Sequence, residues 1–133
     1  MKIDIIAIAS SYPFIQKESI PQAKNKLQKR GYSINLLFNF DSKINYESTS
    51  IKERVQELNS ALISNSKIIM TLAGGYQVNE IINNVDFNLI KKSNKIICGY
   101  SDITYFINAM GLVNFKSQKG ILKHENTGKE QVL

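Results

Sequence analysis

Immediately after the apolar run 95–98 the sequence reads Gly99-Tyr100-Ser101-Asp102, then continues into Ile103-Thr104-Tyr105-Phe106. A strand, a Gly-x-Ser bend and a helix in that order can lift a serine hydroxyl above the edge of a sheet, as a nucleophile elbow does. Ser101 would then stand beside the first amides of a helix, whose partial positive charge favours an attacking oxygen and an oxyanion alike. The Asp102 amide is the natural first oxyanion donor. The glycine that lipase-type elbows carry two places after the nucleophile is absent, and Ile103 stands there. Local sequence leaves a second reading open, since Ser-Asp is also a common way to cap a helix.

A second loop, Ala73-Gly74-Gly75-Tyr76, follows another apolar run. Two adjacent residues without side chains let a ligand approach bare backbone amides, which makes the Gly75 amide the candidate for a second oxyanion donor. Gly74 and Tyr76 are the substrate-binding candidates beside it. A tight strand-to-helix turn would use the same glycines.

Both loops need a sheet that ends at them. The Ile-rich runs 3–9, 34–38, 67–72 and 95–98 are too short for helices, and their near-continuous apolarity predicts strands covered on both faces. Helical patterns alternate with them. Ser19 and Pro21 open the first, Ile20, Ala23 and Leu27 follow at helical spacing, and Gly31 closes it. Ser50 and Glu53 form a capping box ahead of Ile51, Val55, Leu58 and Leu62. Val78, Ile81 and Ile82 predict a short helix, Phe87, Leu89 and Ile90 a further turn or two, and residues 102–110 a last helix. The order predicts an α/β domain with a mostly parallel sheet flanked by helices, over residues 1–115. Residues 41–49 form the one long surface loop, and 116–133 a polar, loosely ordered tail.

Composition narrows the classes. A chain of 133 residues fits one domain, and 43% hydrophobic with 21% charged residues is ordinary for a globular chain. The net charge of +6 is spread along the sequence, without basic clusters interleaved with aromatics, which argues against a nucleic-acid partner. The single cysteine, Cys98, excludes an internal disulfide and cannot alone hold zinc; in its apolar run it reads as a small buried hydrophobe. No metal or other cofactor is implied. Asp4 interrupts the first apolar run, which is too short for an export signal, and no run approaches the roughly twenty residues of a membrane span. The cytoplasm is the expected address.

The run TLAGGYQVNEIINNVDFNLIKKSNKIICGYSDITYFINAMGLV, residues 71–113, resembles the LD-carboxypeptidase (muramoyltetrapeptide carboxypeptidase) family, within it the branch containing the microcin C immunity proteins. Residues 5–11 resemble that family's first strand and small-residue loop. Arg54-Val55-Gln56-Glu57-Leu58 with Ala61 resembles its helix before the diglycine loop. The most specific element is GYSDIT at its set distance after Gly74-Gly75. The resemblance implies an N-terminal α/β domain carrying a serine nucleophile, here Ser101, with the oxyanion held by the amides of Gly75 and Asp102. A C-terminal domain would add the glutamate and histidine of a Ser-His-Glu triad. The implied substrate is an amide bond near a free carboxylate, in a murein tetrapeptide or a peptidyl-nucleotide antibiotic.

The likeness stops early. Where the family continues with Thr-aromatic-x-Gly-Pro this sequence has Asn114-Phe115-Lys116-Ser117-Gln118, and it is a few residues short between Ala109 and Gly111. No position corresponds to the family glutamate or histidine, and His124, in the polar tail, reads as a solvated side chain. With that C-terminal domain absent, residues 1–133 are expected to be close to inert alone: a fragment whose missing domain sits elsewhere, a non-catalytic remnant that only binds a peptide or nucleotide anion, or a truncated pseudo-enzyme. An apolar face left bare would also invite self-association.

Overall fold

The computed structural model describes residues 1–9, 15–42 and 48–118. Strands β1 (Lys2–Ile6), β2 (Ser33–Leu36), β3 (Ile68–Thr71) and β4 (Ile96–Cys98) form one parallel sheet in the order β2-β1-β3-β4. Helices α1 (Ser19–Lys29), α2 (Ile51–Ile63), α3 (Phe87–Ser93) and α4 (Ile103–Gln118) lie between and after the strands, with a 3-10 helix at Val78–Asn84. The chain runs outward from β1 to β2, then crosses back to β3 and β4. Right-handed crossovers therefore put α1 on one face and α2 and α3 on the other. The reversal lies between β1 and β3, and ligands of open α/β sheets bind beyond the strand ends at such a point.

The ladder is shorter than the apolar runs. β1 stops at Ile6 because the next amide, Ala7 N–H, donates to the Glu57 carboxylate at 2.8 Å instead of to a neighbouring strand. Residues 7–9 stay buried outside the ladder. The capping box on α2 forms as expected, with Glu53 N–H donating to Ser50 Oγ and Ser50 N–H to Glu53 Oε2, both at 3.2 Å. The face that α2 buries is rotated from the apolar stripe, however. Arg54, Glu57, Leu58, Ala61 and Leu62 face inward, while Ile51 is exposed. The segment expected as a short helix after the diglycine loop is a 3-10 helix, and α4 continues through Gly111 to Gln118, beyond the expected boundary at 115. The remainder of the expected tail, with His124, lies outside the described residues, as do residues 10–11 and most of the 41–49 loop.

Side chains alternate across the sheet, so Ile6, Ile69 and Ile97 share the face that packs with Leu58, Leu62, Ile90, Ile103, Phe106 and Ile107 in the core. The opposite face is covered only in part. Ile68, Met70 and Cys98 are half-buried there, and Ile96 is 54% exposed on the edge strand. The expectation of strands covered on both faces holds fully on one side and on the other only over β1 and β2, where Ile3 and Ile34 are buried; Cys98 is correspondingly less buried than its run suggested.

At the N-terminal end of the strands a polar cluster fixes α2 against the sheet. Lys95, 7% exposed, donates to the Ala61 and Ser64 carbonyls at the C-terminus of α2 and to Ser64 Oγ. Ser64 in turn donates to Asp4, which also accepts from Asn35 at 2.9 Å. Burial works to raise the Asp4 carboxyl, but the hydrogen bonds from Ser64 and Asn35 and the Lys95 charge hold it below its ordinary value. Removing one partner of a buried charged network strands the others. Lys95→Met is therefore expected to cost about 3 kcal/mol, read as a lower midpoint in urea unfolding at pH 7.

Candidate active site

The loops after β3 and β4 meet at the carboxyl end of the sheet. Ser101 is exposed and has φ +58°, a left-handed value rare for a residue with a side chain and unlike the extended backbone of a capping serine. Such a bend raises a side chain out of the chain path at a strand-to-helix junction. Gly99 makes the bend possible, because a Cβ there would lie 2.4 Å from Ile103 Cγ2 and 2.8 Å from Thr71 Oγ1. Ile103 is fully buried against it. The space over Gly99 receives the side chain of Ile103, the residue standing where lipase-type elbows carry their second glycine.

The diglycine turn lies against the serine. A Cβ on Gly74 would come within 2.6 Å of Ser101 Cβ, 3.1 Å of its Oγ and 3.1 Å of the Tyr100 carbonyl. Gly75 has φ +138° and Gln77 φ +68°, so the turn passes through two conformations that ordinary residues resist. Asp102 ties the loops together, its Oδ2 accepting the Val78 amide at 2.9 Å. Three exposed tyrosines, Tyr76, Tyr100 and Tyr105, belong to this end, on the diglycine turn, beside the serine and one turn along α4. The arrangement brings Gly74 into contact with Ser101, and Asp102 follows in the turn that leads into α4.

This contact gives a sharp expectation for Gly74→Ala. The new methyl must displace Ser101 itself or the turn, at a cost of about 1 to 3 kcal/mol. A displacement of an ångström in an attacking group lowers rate on the order of a hundredfold. Thermal unfolding and a kinetic assay of a catalytically complete form would read the two effects.

Two charged residues on the buried face of α2 serve the same end of the sheet. Arg54 is 2% exposed, and its guanidinium donates to the Ile8 carbonyl at 3.3 Å, the Gln77 carbonyl at 3.1 Å and Glu80 Oε2 at 2.8 Å. Glu57 holds the Ala7 amide, and burial pushes its carboxyl up to about 8. Glu57 also lines a cavity of about 210 Å³ with Leu37, Asn39, Glu53, Gln56 and Ser60, beside β2 and α2 and not at Ser101. Sequence reading gave neither residue a role of its own. The available signal was their spacing, since Arg54, Leu58 and Ala61 lie on one stripe and a charge on such a stripe must find buried partners.

Residues 3–120 match the model of the LD-carboxypeptidase N-terminal domain. The chain belongs to the LD-carboxypeptidase family. It is 34% identical over 119 residues to YocD of Bacillus subtilis (strain 168), which carries a carboxypeptidase name; the match covers 86% of this chain and 37% of YocD. Among solved structures, muramoyltetrapeptide carboxypeptidase from Oxalobacter formigenes superposes with a TM-score of 0.75 at 26% identity, covering 83% of this chain and 36% of that one. The microcin C7 self-immunity protein MccF, known from Escherichia coli, superposes in its complex with aspartyl sulfamoyl adenosine with a TM-score of 0.76 at 26% identity, over 86% of this chain and 34% of that one. The chain thus spans about a third of the length of the LD-carboxypeptidase relatives it matches. No helix among the described residues is long and apolar enough to cross a membrane.

Proposed function

We propose that residues 1–118 form the nucleophile half of a serine LD-carboxypeptidase-type hydrolase, with Ser101 as the attacking group and the Gly75 and Asp102 amides as oxyanion donors. The observation that carries this reading is the strained φ of an exposed Ser101 at a strand-to-helix bend packed against Gly74. Gly74 lets the turn close on the serine, and Tyr76 forms part of the substrate rim. The substrate is a small peptide or peptidyl nucleotide whose scissile amide lies near a free carboxylate. The family membership and the ligands named for its neighbours support that class.

A serine needs a base, and in this reading the histidine and glutamate come from outside residues 1–118, from a second domain of the family type. Without them the oxyanion donors and binding contacts retain at best about a thousandfold over water, so the 133-residue chain alone is close to inert. Joining it to the C-terminal domain of a relative is expected to yield release of D-alanine from a murein tetrapeptide, or cleavage of a peptidyl nucleotide. A correctly folded fusion that hydrolyses neither would overturn the proposal. Calorimetry on the chain alone addresses a second reading, a remnant that only binds: affinity for the same compounds persisting beside that inactive fusion would favour it.

A further inference from the structure

We infer that Arg54 is a positioning residue for the oxyanion turn, acting through the peptide between Gln77 and Val78; the inference rests on the reading of Gly75 and Ser101 given above. That one peptide unit is held from both sides. Its oxygen accepts from Arg54 at 3.1 Å, and its N–H donates to the carboxylate of Asp102 at 2.9 Å. Asp102 is the residue immediately after the serine, so the peptide couples the turn to the nucleophile elbow on one side and to α2 on the other. Gln77 supplies the reason a clamp is needed. A non-glycine residue at φ +68° is strained and persists only where its surroundings hold it.

Arginine suits this position for a physical reason. Its remaining bonds reach Ile8 at the exit of β1 and Glu80 in the 3-10 helix, so one planar group spans the ends of β1 and β3. An almost fully buried guanidinium is a costly way to fill volume, and an aliphatic side chain would fill it more cheaply. A rigid fork of donors can meet three oxygens from three segments at once, which the point charge of a lysine cannot. Glu80, the charged partner, is 38% exposed, so it neutralises the arginine from the rim and leaves the inner edge of the guanidinium to the carbonyls.

The test uses backbone-amide NMR and hydrogen exchange on the 133-residue chain, which require no hydrolysis. Arg54→Lys is expected to shift the amide resonances of residues 74–78 and to speed exchange at Val78 about tenfold or more, with the amides of β1 and β3 near their original rates. Asp102→Asn loosens the opposite end of the same peptide, leaves the arginine in place, and is expected to move the same amides; it keeps the question open to measurement if the lysine variant fails to fold. Glu80→Gln removes only the rim partner and should disturb residues 74–78 much less. Exchange rising evenly across the sheet in Arg54→Lys, unchanged resonances at 74–78, or a Glu80→Gln response equal to that of Arg54→Lys would each overturn the clamp. Absence of catalysis in a completed enzyme would count against the nucleophile reading and leave these amide results standing.

Discussion

Ser101→Ala, in the chain completed by a family-type C-terminal domain, is expected to lower kcat by on the order of a millionfold while leaving KM within a few-fold. The asymmetry follows from what the hydroxyl does. In the proposed reading it forms the bond to the scissile carbonyl, so its contribution exists only along the reaction path, whereas the turn amides and the tyrosine rim would contact the ground state as well. The residual rate, about a thousandfold over water, belongs to the oxyanion donors and to substrate positioning. Steady-state kinetics on a folded variant decide the matter. A variant retaining more than about one part in a hundred of kcat removes the serine from the chemistry. A comparable rise in KM with kcat intact would make it a binding residue.

The elements were legible in the sequence because they rest on local rules. Four short Ile-rich runs separated by helical patterns permit few arrangements, and Ser50 with Glu53 announces the start of α2 directly. The two loops at the sheet end were legible as bends for the same reason, but a glycine pair also serves a tight turn and Ser-Asp also caps a helix, so it was the family resemblance of GYSDIT after Gly74-Gly75 that singled out Ser101. What escaped was decided by tertiary partners. Hydropathy alone placed Ile51 and Val55 on the buried face of α2, but Ile51 is exposed and Arg54 and Glu57 are buried. Their compensation comes from the Ile8 and Gln77 carbonyls and the Ala7 amide, groups distant in sequence that no periodicity reveals. The short β1 has the same origin: an amide that apolarity assigned to the ladder is taken by a carboxylate from α2.

That carboxylate makes the largest stability effect expected of the fold. Burial lifts Glu57 from an ordinary 4.5 to about 8, against the downward pull of the Ala7 amide and Arg54 and with an upward push from Glu53. The folded chain therefore keeps a proton on Glu57 that the unfolded chain has released at neutral pH. Stability from this group is complete below about 4.5 and is lost as pH rises through 8. The difference corresponds to roughly 3 to 5 kcal/mol, a large share of what a domain of this size possesses. Glu57→Gln keeps an oxygen to accept from Ala7 and cannot ionise, so it should match the natural chain near pH 5 and be the more stable of the two by pH 9. Urea midpoints across that range measure the crossover. Parallel curves for the two proteins would mean that Glu57 is already ionised in the fold, with Arg54 compensating it. Both side chains leave the same face of α2 three residues apart, so the charge state of one sets the field in which the other holds its carbonyls. A loss of stability at high pH should accordingly be accompanied by faster amide exchange at residues 74–78, the segment Arg54 anchors, before the strands themselves open.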